Sequence, residues 1–181
     1  NRNRYIEDTN ALAYTGRPVG IAYLDVNGLK DINDQYGHEY GDKVLVECAR
    51  RMRSVFMGAD FYRIGGDEFV IICPGMEKDV FHSKLRELKA QFQNDPHYQA
   101  AIGSQWTHKV ENLSQIIANA DAEMYEDKKE FYRTHPVSHR YRHHSDEILH
   151  LADPSVLQEE IDQNHFVVKP QNGSGQFLPE A

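Results

Sequence analysis

The spacing of apolar positions along the chain changes several times, and each change marks an element. Over residues 1–15, Tyr5, Ile6, Leu12 and Ala13 stand among polar residues at a helical spacing, and Gly16-Arg17-Pro18 ends that helix. Val19 to Leu24 then reads as a buried strand that ends at Asp25. A short helical stretch follows from Leu29 to Tyr36. After Gly37-His38 a longer helix puts Val44, Leu45, Cys48, Met52 and Val55 on one face. Phe61–Ile64 and Phe69–Cys73 read as two strands of a hairpin, the glycine pair between them supplying the backbone freedom of a tight turn. Val80–Phe92 is an amphipathic helix, Ala100–Trp106 a strand, and Leu113 to about Tyr132 a last helix. The order helix, β, α, β, β, α, β, α predicts an α/β (α+β) sandwich of the split βαβ kind. Its central sheet is mostly antiparallel and is flanked by helices.

Composition narrows the function. With 40% hydrophobic residues, including 10 Tyr and 8 Phe, the 181 residues supply one packed core plus a tail. A formal net charge of −8 argues against a nonspecific grip on nucleic acid, which needs a basic face to neutralise phosphates. Cys48 and Cys73 both fall in apolar stretches, which favours buried free thiols in a reducing, cytoplasmic setting over a disulfide. No apolar run is long enough to span a bilayer, and no signal-type segment follows Asn1-Arg2-Asn3-Arg4, so direct membrane insertion is not expected. The first residue is Asn rather than Met, and the chain is expected to be a piece of a longer protein.

Candidate chemistry gathers at the strand ends. Asp25 closes the first strand, and Asp67 with Glu68 stands on the hairpin turn. Carboxylates brought to one sheet edge repel each other unless a cation lies between them, and hard oxygen ligands with an open position suit Mg²⁺ or Mn²⁺ held together with substrate phosphates. That arrangement fits two-metal phosphoryl or nucleotidyl transfer. The residue types alone leave a second reading open, in which Asp25 caps the next helix and Asp67-Glu68 are solvated turn residues.

The sequence Arg63-Ile64-Gly65-Gly66-Asp67-Glu68-Phe69 resembles the signature hairpin of GGDEF-domain diguanylate cyclases. Asp25-Val26-Asn27-Gly28-Leu29-Lys30-Asp31-Ile32-Asn33-Asp34, continuing through Tyr36-Gly37-His38 and Gly41-Asp42, is similar to that family's second signature. Ala120-Asp121, Met124-Tyr125 and Lys128 resemble its C-terminal helix. The resemblance covers about residues 1–133 and implies a nucleotidyl-cyclase, palm-like fold that condenses two GTP into cyclic di-GMP. It implies two Mg²⁺ or Mn²⁺ ions per GTP, bound by Asp25, the Val26 carbonyl, Asp67 and Glu68. The last two also share deprotonation of the attacking 3′-hydroxyl. Phosphates would be held by Lys30, Lys128, the amides of Gly28 and Leu29, and the close approach that Gly65 and Gly66 permit. Asn33 and Asp42 match the guanine-reading pair. A carboxylate accepts from guanine N1–H and the exocyclic amine together but is opposed by adenine N1. Asp42 also has an ordinary structural role available, as N-cap of a helix beginning near Lys43.

The chain departs from the family pattern in two places. Where many members carry an Arg-x-x-Asp product-inhibition site, this sequence reads Phe56-Met57-Gly58-Ala59, so feedback through that site is expected to be absent. Four residues after Lys128 the usual arginine is Tyr132, with Arg133 beside it as a candidate substitute through a shifted helix end. Residues 134–154 hold five histidines interleaved with Arg140 and Arg142, and read as a solvated linker rather than a metal site. Residues 155–181 resemble the opening of an EAL phosphodiesterase domain. The expected parent protein therefore has a sensor upstream and an EAL domain downstream, and the catalytic unit is a homodimer because each subunit offers half a reaction centre. Two alternatives stand beside this: a regulatory module that binds GTP with weak or no turnover and controls an adjoining EAL domain, and a polymerase-like palm on nucleic acid, which the acidic composition disfavours.

Overall fold

The computed structural model describes residues 5, 7–9, 12, 16–95 and 98–135. Beyond the helical residues that precede Gly16, the elements run β1 (Val19–Val26), α1 (Leu29–Tyr36), α2 (His38–Val55), β2 (Asp60–Arg63), β3 (Glu68–Pro74), α3 (Lys78–Gln93), β4 (Ala100–Thr107) and α4 (Leu113–Thr134). The elements expected from Val19 onward are all present, with ends moved by one or two residues and β1 running through Asp25 to Val26; of the helix expected over 1–15, the described residues 5, 7–9 and 12 are helical. The extensions expected at 134–154 and 155–181 lie, after His135, outside the described residues, as do His139, His143 and His144.

The strands form one sheet in the order β2-β3-β1-β4, with every neighbouring pair antiparallel. All eight residues of β1 are buried because the strand is central and both faces are covered, which explains its almost unbroken apolar run. Period-two alternation divides its side chains between two cores. Ala22, Leu24 and Val26 face α1, α2 and α3 with Phe56, Phe81 and Phe92. Val19, Ile21 and Tyr23 face α4 with Leu113, Ala120 and Met124. Asp25 continues the second set, so its carboxylate comes out on the α4 side. Both cysteines are buried free thiols, pushed by burial up to about 12. Among the described residues no helix is long and apolar enough to cross a membrane.

Helix α4 is fixed to the sheet at backbone level. A Cβ at Gly103 would collide with the Ala120 carbonyl oxygen and the Met124 amide nitrogen. Glu123 and Asp127 accept hydrogen bonds from the β4 amides of Ser104 (2.9 Å) and Ile102 (2.8 Å), covering amides of an edge strand. Gly103→Ala should therefore cost about 1–3 kcal/mol in urea unfolding, since neither backbone can yield. Gly66→Ala, where an added Cβ meets nothing within 4 Å, should stay within about 0.5 kcal/mol of the parent.

Candidate active site

Asp25 is 4% exposed, yet it sits one residue from the end of the central strand. Its Oδ2 accepts from Lys128 Nζ at 2.7 Å, across the interface between β1 and α4. Its buried Oδ1 has no hydrogen-bond partner. Burial pushes the carboxyl above the usual aspartate range. The hydrogen bond from Lys128 pulls the other way without cancelling this, and the charges of Asp67 and Glu68 raise it further. Burial alone would lower the Lys128 ammonium, but its hydrogen bond to Asp25 and the charges of Asp25 and Asp67 hold it above the usual lysine value. Tyr23, two residues before Asp25 on the same face, is raised by burial and by the charges of Glu68 and Asp121.

The hairpin delivers the other two carboxylates to this edge. Glu68 is the cross-strand partner of Asp25, and the Val26 amide donates to the Asp67 carbonyl at 3.0 Å, tying the turn to the end of β1. The glycine pair does not serve the expected purpose, because neither residue has a positive φ. A Cβ at Gly65 would meet Glu68 Oε2, the flexible tip of that side chain, so glycine here leaves Glu68 room to lie over the turn. Arg63, to which the sequence reading gave no role, donates from Nε (3.2 Å) and Nη2 (2.7 Å) to the Gly66 carbonyl and so braces the turn. A planar fork spanning three residues of turn is a geometric device that leaves no pattern of its own in the sequence.

Between these carboxylates and α1 lies the loop Asn27-Gly28. Gly28 has φ 73°, the left-handed turn that lets α1 begin at Leu29, and it is the N-cap in place of any side chain. Capping by Asp25 is thereby excluded. Asn27 is 5% exposed with a buried, unpartnered Oδ1, a second polar group missed at the sequence level. The Gly28 amide donates to the Tyr132 hydroxyl at 3.3 Å. Tyr132 follows Lys128 by one helical turn on α4, so the two side chains reach the loop's two ends. Arg133 does not reach the site: it forms a fork with Glu130 at 2.8 and 2.6 Å and is largely exposed.

Asn33 and Asp42 sit where helices α1 and α2 meet. A Cβ at Gly41 would collide with Asn33 Oδ1, which is buried without a hydrogen-bond partner. Glycine at 41 thus makes room for the carboxamide beside Asp42. Asp42 lies inside α2, whose N-cap is Gly37, so it does not cap a helix starting near Lys43. Lys30 is exposed in the first turn of α1.

Among the described residues no group of three or more His, Cys, Asp or Glu side chains is gathered closely enough to hold an ion. What the edge offers is one buried carboxylate with an unsatisfied oxygen, with Glu68 as its cross-strand partner and Asp67 near enough for its charge to be felt. The Asp25 Oδ1, buried, anionic and unpartnered, fits a hard cation that keeps positions open for phosphate or water. A buried carboxylate with a single lysine partner is costly by itself, and an ion would offset that cost.

The family model described as "Diguanylate cyclase, GGDEF domain" matches residues 3–133. The chain is 30% identical over 140 residues to the diguanylate cyclase VdcA of Vibrio cholerae, covering 71% of this chain and 41% of that protein. It is 31% identical over 121 residues to the bifunctional diguanylate cyclase/cyclic di-GMP phosphodiesterase MucR of Pseudomonas aeruginosa, covering 62% and 18%. The crystal structure of the diguanylate cyclase SiaD with its activator SiaC, from Pseudomonas aeruginosa, superposes with a TM-score of 0.63 at 27% identity, over 71% of this chain and 55% of that one. The chain thus spans less than half the length of these curated relatives.

Because folding raises the Asp25 carboxyl, its contribution to stability is present below the unfolded carboxylate value and is lost as pH rises through the folded one. In chelator, Asp25→Asn should therefore unfold at a higher temperature than the parent near neutral pH, with the gap closing on acidification toward about pH 4. Added Mg²⁺ should stabilise the parent alone. Thermal unfolding across this range is the check, and coincident curves at every pH would refute the buried-charge account.

Proposed function

The chain belongs to the GGDEF diguanylate cyclase family, and we propose that it joins two GTP molecules into cyclic di-GMP, each of two facing subunits supplying half of the reaction centre. The 3′-hydroxyl oxygen of one GTP attacks the α-phosphate of the other, its proton leaves, and the bond to pyrophosphate breaks; the reciprocal attack closes the ring and releases the second pyrophosphate. The observation that carries this is the buried Asp25 carboxylate with its unpartnered Oδ1, opposite Glu68 and beside a turn tied to β1.

Asp25, the Val26 carbonyl, Asp67 and Glu68 would hold two Mg²⁺ or Mn²⁺ ions. Bound there, such ions neutralise charge on the phosphates and lower the pKa of the attacking hydroxyl. Asp67 and Glu68 share the acceptance of that proton. Lys128 keeps the Asp25 carboxylate oriented and adds positive charge at the phosphates. The Gly28 and Leu29 amides at the start of α1, together with exposed Lys30, receive the outer phosphates. Gly65 and Gly66 leave the turn backbone open to close approach, and around Gly66 there is no neighbour within 4 Å of an added Cβ. Asn33, seated against Gly41, and the adjacent Asp42 read the guanine edge.

We propose the same boundaries for the parent protein: a cyclase domain over 1–133, a linker over 134–154, and an EAL opening over 155–181, behind an upstream sensor. A second reading, a GTP-binding module with weak turnover that controls an adjoining EAL domain, is favoured by one observation: the Tyr132 hydroxyl already occupies the Gly28 amide.

Incubation with GTP and Mg²⁺ separates the two readings. A cyclase yields cyclic di-GMP at a rate that climbs more steeply than protein concentration. Asp67→Ala combined with Glu68→Ala should lower that rate by at least about a hundredfold, and chelator should abolish it. Tight GTP binding and dimerisation with no product would leave the regulatory module. With residues 56–59 lacking a basic partner, added cyclic di-GMP should not slow the reaction through that turn.

A further inference from the structure

The contact between α4 and the phosphate loop does more than brace the fold. Gly28 donates its amide to Tyr132 Oη at 3.3 Å, joining residues 104 apart in sequence. The preceding turn of the same helix holds Lys128 on Asp25, so the hydroxyl stands at the mouth of the carboxylate site. An amide freed by a left-handed glycine at the start of a helix is a donor that suits an oxyanion. Here its acceptor is a neutral phenol.

We infer that the Tyr132 hydroxyl is a built-in occupant of the phosphate cradle, competing with the substrate for the Gly28 amide and thereby setting the affinity for the triphosphate. The inference rests on the assignment of this site to GTP. A contact of 3.3 Å to an uncharged acceptor is at the weak end of amide hydrogen bonds. A phosphate oxygen, being anionic, forms a shorter and stronger one. The substrate therefore displaces the hydroxyl rather than being excluded by it. Displacement is open to the ring because Tyr132 is 38% exposed at the last turns of α4 and is not part of either core. Arg133 is held by Glu130, Lys128 is already shared with Asp25, and Tyr132 itself carries no charge to offer the phosphates. The competition falls on the phosphate chain, since the hydroxyl sits on the Gly28 amide while Asn33 and Asp42 belong to the junction of α1 and α2.

The test is a calorimetric titration of the 181-residue chain and its Tyr132→Phe variant with 3′-deoxy-GTP and Mg²⁺, a ligand that lacks the attacking hydroxyl and so binds without turnover. Phenylalanine keeps the ring and removes the hydroxyl that accepts from the Gly28 amide. The variant should bind 3′-deoxy-GTP about three- to tenfold tighter, the worth of one neutral hydrogen bond released, while GMP affinity stays unchanged. Tyr132→Leu should move in the same direction. An unchanged or weaker affinity in the variants would overturn the inference, the weaker case making the hydroxyl a phosphate contact. A gain shared equally by GMP would also overturn it, by showing general loosening. Failure of the parent chain to bind 3′-deoxy-GTP at all would instead remove the GTP assignment on which the inference stands.

Discussion

A carboxylate buried at the end of the central strand is the constraint around which this molecule is arranged. Asp25 leaves water because β1 is covered on both faces, and its charge must then be answered by something close. Lys128 answers for one oxygen only. The fold thus carries an unfinished electrostatic arrangement, one that a cation completes and that stability alone would not select.

Everything that gives Asp25 this environment follows from strand register. Alternation along β1 sends Ile21, Tyr23 and Asp25 to the α4 face, and antiparallel pairing sets Glu68 directly opposite. A slip of one residue would turn the carboxylate into the apolar core under α1, α2 and α3 and point Leu24 at Lys128. The same register brings the hairpin turn, the start of α1 and the end of α4 to one edge of the sheet. The catalytic reading therefore depends on the sheet core as much as on the residues that touch substrate.

Much of this was legible in the sequence, for identifiable reasons. The apolar run from Val19 to Leu24 read as a buried strand, as observed, and the period of Val44, Leu45, Cys48, Met52 and Val55 marked the long helix. Asp25, Asp67 and Glu68 stood out through the resemblance of their motifs to the GGDEF family, since their residue types alone also fit capping and turn roles. What stayed hidden depends on distances between remote segments. Gly65 gives Glu68 room to lie over the turn and has no positive φ. Gly41 gives the Asn33 carboxamide room. The alternative role of Asp42 as an N-cap fails because the helix already starts at His38, where Gly37 caps without a side chain. The meeting of Tyr132 with Gly28 links two segments that share no periodicity and could be seen only once α4 was laid along β4.

The bare backbone contact at Gly103 works as a mechanical notch. With no side chain acting as a spacer between strand and helix, α4 can neither roll nor advance by a turn without riding up over the sheet. Ala120, Met124, Lys128 and Tyr132 recur at four-residue intervals along that one helix, so a single seating point in the core dictates where two side chains arrive at the active edge. A glycine with no part in the chemistry is therefore its alignment pin, and tolerance at the site is set by machining inside the sheet–helix seam.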